Sequence, residues 1–224
     1  MIALFDVTIP GVDGEAPVVD DLSLQIEEGS WNELVGPSGT GKTALFEVMT
    51  LRRRPARGRL VIAGRNVDRL GRRGVAGVRR DLGSCPQRPA LLWERTVVEN
   101  AVLPMVVRSR VDGAVDAAEE VLDSLGLLAR RDRPVSTLSD QEQALVGLAM
   151  ATVGRPSLVV IDGIRQKLES TARGMALSWL DRVCDGGSTV IIFGRRPLNR
   201  RAEAKVWRVR NGTVEASKAG GDRC

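Results

Sequence analysis

No histidine and no tyrosine occur among the 224 residues. The chain therefore has no imidazole to serve as a neutral hydrogen-bond relay, and no phenol to stack on a base. The three cysteines, Cys85, Cys184 and Cys224, are scattered. They form neither a disulfide framework nor a zinc pattern, and they suit a reduced cytoplasm. No stretch approaches the roughly 18 apolar residues of a membrane span. The N-terminus, "MIALFDVTIPG", lacks the charged-then-apolar layout of a secretion signal. Lysine is scarce as well. Only Lys42, Lys167, Lys205 and Lys218 occur, so arginine carries almost all of the net charge of +5. Arginine clusters at "RRRPARGR" (52–59), "RRDR" (130–133) and "RRPLNRR" (195–201). Such patches suit phosphates or anionic lipid headgroups, with a solvated arginine-biased surface as the plainer reading. No aromatics interleave with them, as a platform for single-stranded nucleic acid would require.

The remaining composition is that of an ordinary globule, long enough to bury one core. Its front is rich in short strands: "IALFDVTI", "LSLQIEE" and "SWNELVG" (30–36). After a glycine-rich loop, "TALFEVMTLRR" reads as a helix, followed by strand "GRLVIAG" (58–64) and a short strand and loop in "DLGSCPQ" (81–87). A helical section covers "TVVENAVLPMVV" (96–107), "GAVDAAEEVLDSLGL" (113–127) and "SDQEQALVGLAMATV" (139–153). In the second of these, Val115, Ala118, Val121, Leu122 and Leu125 share a helical face. Strands return at "SLVVID" and "STVIIFG" (188–194), around a helix near 170–183. "KVWRVRNGTVEA" alternates about Asn211-Gly212, a strong hairpin signal. Strand, helix and strand in this order predict a parallel α/β core with a helical insertion near 90–155.

"GPSGTGKT" (36–43) matches G-x-x-x-x-G-K-[ST] between a predicted strand and helix, the context this motif requires. Glycines at 36, 39 and 41 let backbone N–H groups curl around phosphate oxygens, with the helix N-terminus adding partial positive charge. Lys42 is placed to reach the β and γ phosphates, and the Thr43 hydroxyl to ligate Mg²⁺. Nucleotide binding is the expectation.

From these motifs the chain resembles the ATP-binding cassette (ABC) ATPase subunits over essentially its whole length. "SCPQ" resembles the family's glutamine loop, with Gln87 in the place that contacts metal and water. "LLWERTVVENAVLPM" and "AAEEVLDSLGL" resemble the helical subdomain that docks on a membrane partner. The wording is most similar to the branch serving lipoprotein release, macrolide export and cell division. The resemblance implies an α/β P-loop NTPase (RecA-like) core with an antiparallel β front and a helical subdomain. It implies a single domain over 1–224, with 1–89 and 156–224 as nucleotide-binding core and 90–155 as helical subdomain. It also implies ATP and Mg²⁺ held by Gly36, Pro37, Ser38, Gly39, Thr40, Gly41, Lys42, Thr43 and Ala44, with Gln87 and Ser139. The metal set implied is Thr43, Gln87 and Asp162.

Three departures concern chemistry. In the family a strand such as "LVVID" ends in Asp-Glu, the Glu polarising the attacking water. Here Asp162 keeps the metal role, but Gly163 has no side chain to accept a proton, and loss of a general base typically costs about 10²–10⁴-fold in rate. Glu169 is the nearest substitute in sequence. Second, Arg195 stands where the family places a histidine against the γ-phosphate. Third, "LSDQEQ" stands where the family shows Leu-Ser-Gly-Gly-Gln/Glu. Ser139 survives as an N-cap, with Glu142 completing a capping box, but Asp140 and Gln141 replace the two glycines. Ala44 lacks the usual hydroxyl, and "PGVDGEAP" (10–17) has no aromatic for adenine; Phe5 is nearest, in a core-like strand.

Family sites are composite, with the phosphate loop of one subunit facing the signature of the other. With both faults in one chain, self-pairing and pairing with an intact subunit each leave hydrolysis impaired. The leading expectation is a subunit that binds Mg-ATP but turns it over slowly or not at all, peripheral on the inner face of the cell membrane. Its partners would be a permease-like integral-membrane subunit and a second ABC chain, identical or different. A working transport ATPase and a scaffold without nucleotide binding are the alternatives. Nucleic acid is not expected, because the chain has no room for the long arms of relatives that handle it. If only the three departures block turnover, Gly163→Glu with Arg195→His and Asp140→Gly should restore some activity.

Overall fold

The computed structural model describes residues 1–11, 16–164 and 168–216. The loop expected to lack an adenine partner falls partly outside these residues, as do Lys167, Lys218 and Cys224. Two sheets form the frame. The front sheet runs β2-β1-β4-β5, from β1 (Ile2–Ile9), β2 (Val19–Ile26), β4 (Arg57–Ile62) and β5 (Arg65–Asn66), all antiparallel. The main sheet runs β10-β9-β3-β8-β7-β6. Its strands β6 (Leu82–Cys85), β7 (Leu158–Asp162), β8 (Thr189–Gly194), β3 (Trp31–Val35) and β9 (Lys205–Arg210) are parallel, and only β10 (Thr213–Ala216) is antiparallel. The α/β core and antiparallel front are as expected.

The central strands are apolar on both faces because both faces are covered. "LVVID" of β7 is buried throughout, and β8 as far as Phe193, the pattern of parallel strands between layers. On one side lie the front sheet and α1 (Lys42–Met49), where Phe46 meets Phe193 edge-on at 6.1 Å. On the other lie α3 (Val97–Val107), α4 (Ala114–Ser124), α5 (Asp140–Thr152) and α6 (Ser170–Asp185). Asn211 and Gly212 both have positive φ (45° and 79°), the backbone of a type I′ turn, and join β9 to β10 as predicted.

Two elements depart from expectation. A helix, α2 (Arg72–Asp81), occupies "RRGVAGVRRD"; its two interior glycines, each about 1 kcal/mol less favourable than alanine, weaken the local signal. Val115 is exposed, not part of the buried stripe. The stripe on α4 is Ala114, Ala118, Val121 and Leu122, at i, i+4, i+7 and i+8, and Val115 sits about 100° around the helix from Ala114. No helix among the described residues is long and apolar enough to cross a membrane.

Candidate nucleotide site

The loop 36–41 joins the end of β3 to α1, whose first residue is Lys42. Two of its glycines are required by close approach. A Cβ on Gly36 would lie 2.2 Å from the Val209 carbonyl oxygen, and one on Gly41 2.6 Å from that of Val18. Gly41 also caps α1 at φ 90°, a conformation costly to any side-chain-bearing residue. Pro37, Ser38 and Gly39 are exposed at the tip, and Thr40 donates its hydroxyl to Pro37 O at 3.0 Å. Lys42 turns into the loop, donating to Pro37 O and, at 3.2 Å, to Thr40 Oγ1. Partial burial pushes its ammonium pKa down, Asp162 opposes this, and the Arg195 charge adds to it. Ala44 packs half-buried against the core.

Asp162, at the end of β7, gathers the proposed metal set. Its Oδ2 accepts from Gln87 Nε2 at 3.1 Å and from Thr43 Oγ1 at 3.4 Å. Thr43 and Gln87, far apart in sequence, thus converge on one oxygen of Asp162. Burial pushes the Asp162 carboxyl above its usual range, against the Gln87 and Thr43 hydrogen bonds and the Lys42 charge. One carboxylate, one hydroxyl and one amide are hard oxygen donors, a set that fits Mg²⁺ sharing its coordination with substrate phosphates. The fit requires the Gln87 amide to present its oxygen, a simple flip. No cluster of three His, Cys, Asp or Glu suited to a metal exists among the described residues.

Beyond Asp162 the backbone turns at once. Gly163 has φ 78° and donates its N–H to Phe193 O at 3.2 Å. Beside it opens a cavity of about 340 Å³, with Ile164, Ile192, Arg195 and Arg196 among its walls. Its floor holds Glu33, which the sequence reading passed over although it interrupts the apolar run of β3. Glu33 is 1% exposed. Its Oε1 accepts from Trp31 Nε1 at 3.0 Å and its Oε2 from the Leu198 N–H at 2.7 Å. Arg195 is exposed, close enough for its charge to act on Lys42.

Ser139 caps α5 as expected: Glu142 Oε2 accepts from the Ser139 N–H and hydroxyl, each at 2.9 Å. Glu142 also pairs with Arg130. Gln141 accepts the Glu169 N–H through its Oε1 at 2.7 Å. Glu169 itself is exposed at the start of α6. Phe5 is half-buried on β1 under the Arg59 guanidinium, 4.8 Å from the ring centroid.

A sequence model described as ABC transporter matches residues 19–164. The chain belongs to the ABC transporter family. A methionine import ATP-binding protein, MetN, of Geobacillus kaustophilus is 33% identical over 175 residues, which are 75% of this chain and 50% of that protein. The chain therefore spans about half the length of the methionine-import relatives it matches. The cell division ATP-binding protein FtsE of Mycobacterium tuberculosis is 30% identical over 86% of this chain and 84% of its own. Cell division is one of the branches expected; methionine import lies outside them. Among solved structures, an ATP-binding cassette named MJ0796, a dimer bound to ADP and Pi, aligns with a TM-score of 0.90 over 99% of this chain and 100% of its own. At 24% identity that likeness shows the ABC cassette fold alone.

The C-terminal ends of the parallel strands β3, β6 and β7 bring loop 36–41, Gln87 and Asp162 to one side of the main sheet. There the Thr43 hydroxyl, the Gln87 amide and the Asp162 carboxylate meet near Lys42. The chain offers no carboxylate on Gly163 and no imidazole anywhere.

Proposed function

We propose that this protein is the ATP-binding subunit of an ABC-type membrane complex, one that holds Mg-ATP and hydrolyses it slowly or not at all. The observation that carries the reading is the meeting of Thr43 and Gln87 at Asp162 Oδ2, immediately followed by a residue without a side chain. In this reading the 36–41 N–H groups and Lys42 bind the phosphates, and Thr43, Gln87 and Asp162 hold the cation. Mg²⁺ would neutralise charge on the β and γ phosphates. A water near Gly163 would find no carboxylate on that residue, and Glu33 in the adjoining cavity has both oxygens engaged by Trp31 and Leu198. The names of the methionine-import and cell-division relatives, both called ATP-binding proteins, support the nucleotide part.

The subunit would sit on the cytoplasmic face of the membrane against a permease-like partner, pairing with itself or with another ABC chain. Exposed Leu92 and Trp93, just before α3, suit the permease contact. The Gln141–Glu169 bond and the Ser139–Glu142 capping box, both within one chain, leave a carboxylate-bearing helix start where a partner's γ-phosphate would need bare N–H groups. Calorimetry with ATP and Mg²⁺ tests the binding half: heat from the wild type and none from Lys42→Ala is expected. Phosphate release tests the other half. Turnover by the purified protein at the rate of ordinary transport ATPases, alone or with its permease, would refute impaired hydrolysis.

A further inference from the structure

A groove of about 460 Å³ opens beside Leu82 and Leu158, the first residues of β6 and β7. It therefore lies at the opposite end of the main sheet from the phosphate loop, which follows the last residue of β3. Arg65 of β5, Arg108 and Arg110 of the turn between α3 and α4, and Arg155 just after α5 all line it. Asp81 is the only acidic residue lining it among the described residues. An excess of one sign of charge in a cleft with low-dielectric walls focuses the field on an approaching anion.

The arginines divide into anchored and available ones. Arg108 is fixed, with Nε donating to Arg80 O and one terminal nitrogen to Leu82 O at 3.4 Å. Burial pushes its pKa down; Asp81 opposes that, and the like charge of Arg110 adds to it. Arg155 meets Glu120 at 3.5 Å with both side chains largely exposed, a pairing of little strength. Arg65 and Arg110 form no ion pair among the described residues.

An apolar collar adjoins the groove. Val106 and Val107 end α3, Val111 follows in the turn and Val115 begins α4, all exposed, Val111 at 63%. Arg108 and Arg110 are interleaved with them in sequence. A water-soluble phosphate compound would satisfy the arginines and leave the valines wet. A leaflet with anionic headgroups above hydrocarbon matches both.

We propose that this corner docks on an anionic phospholipid surface, the groove receiving a headgroup phosphate and the four valines meeting the acyl edge. The docking does not depend on nucleotide. The full chain is sedimented with vesicles of phosphatidylcholine, with and without phosphatidylglycerol. Binding to the anionic vesicles alone, reversed by salt, is expected. Arg110→Ser with Arg155→Ser should lower partitioning about tenfold or more, at about 1 kcal/mol per basic residue near the surface. Val107→Ser with Val111→Ser should lower it too, while calorimetric binding of glycerol 1-phosphate stays unchanged. Arg133→Ser with Arg210→Ser removes equal charge elsewhere and should have no effect. Circular dichroism checks that each variant is folded. The proposal is overturned if the groove variant sediments like wild type, or if the distant pair matters as much. It is also overturned if the valine variant keeps full vesicle binding, for the groove then serves a free phosphate compound.

Discussion

The backbone N–H of Glu169 donates to Gln141 Oε1 at 2.7 Å, tying the start of α6 to the start of α5. The bond uses the side chain at a position where the family resemblance implies a glycine. Gln141→Ala should therefore lower stability by about 0.5–1.5 kcal/mol, the net worth of one such bond. Gln141→Glu keeps an acceptor and should lose less. Urea denaturation of the two variants measures the difference.

Gly163 sits at φ 78°, where an L side chain costs roughly 1–2 kcal/mol. Restoring the missing carboxylate thus strains the strand end that must present it. Gly163→Glu alone is expected to be destabilised by about that amount and to release phosphate at the wild-type rate. Gly163→Ala should show the same destabilisation. Adding Arg195→His and Asp140→Gly leaves the strain in place, so any activity the triple variant regains should be small. Full activity in that variant would show that the backbone relaxes.

Glu33 accepts two N–H bonds in a buried place, one of them from Leu198. Glu33→Ala leaves the Trp31 and Leu198 donors unpaired, at about 1–3 kcal/mol each. Hydrogen exchange at Leu198 should speed up markedly, because the segment after β8 loses its tether. Loss of stability without faster exchange there would assign Glu33 to packing.

Burial pushes the Cys85 thiol up to about 12. The unfolded thiol ionises near its ordinary value of about 8.5. Above that pH the unfolded state releases a proton that the folded state keeps, so the folded state loses stability as pH rises. The advantage of wild type over Cys85→Ala should be full below about pH 8 and shrink towards pH 12. Alkylation of Cys85 at pH 8 should need unfolding, since its thiolate is nearly absent in the fold.

Much of the frame was legible because its signals are local. β7 and β8 are unbroken apolar runs, Asn211-Gly212 specifies its turn, and Ser139 with Glu142 announces a helix start. The phosphate loop was legible for the same reason, and the resemblance added Gln87 and Asp162. What stayed hidden depends on tertiary neighbours. Nothing adjacent to Glu33 says that Leu198, 165 positions later, will need its oxygen. Gln141 is an ordinary helix residue until Glu169 arrives beside it. Helix α2 carries two interior glycines that weaken its local signal, and Val78 with the half-buried Val75 packs it onto the core.

Among the described residues β3, which leads into loop 36–41, has β8 and β9 as its sheet neighbours. Both come late relative to it: β3 ends at Val35, and β8 begins at Thr189. At about 5–20 residues per second, a ribosome needs on the order of ten seconds to make the intervening chain. Throughout that interval the front strands β1, β2 and β4 can pair among themselves, but β3 lacks both partners. Loop 36–41 is thus fixed in its final place only after β8 and β9 have emerged, and β3 is a segment a chaperone would shield until then.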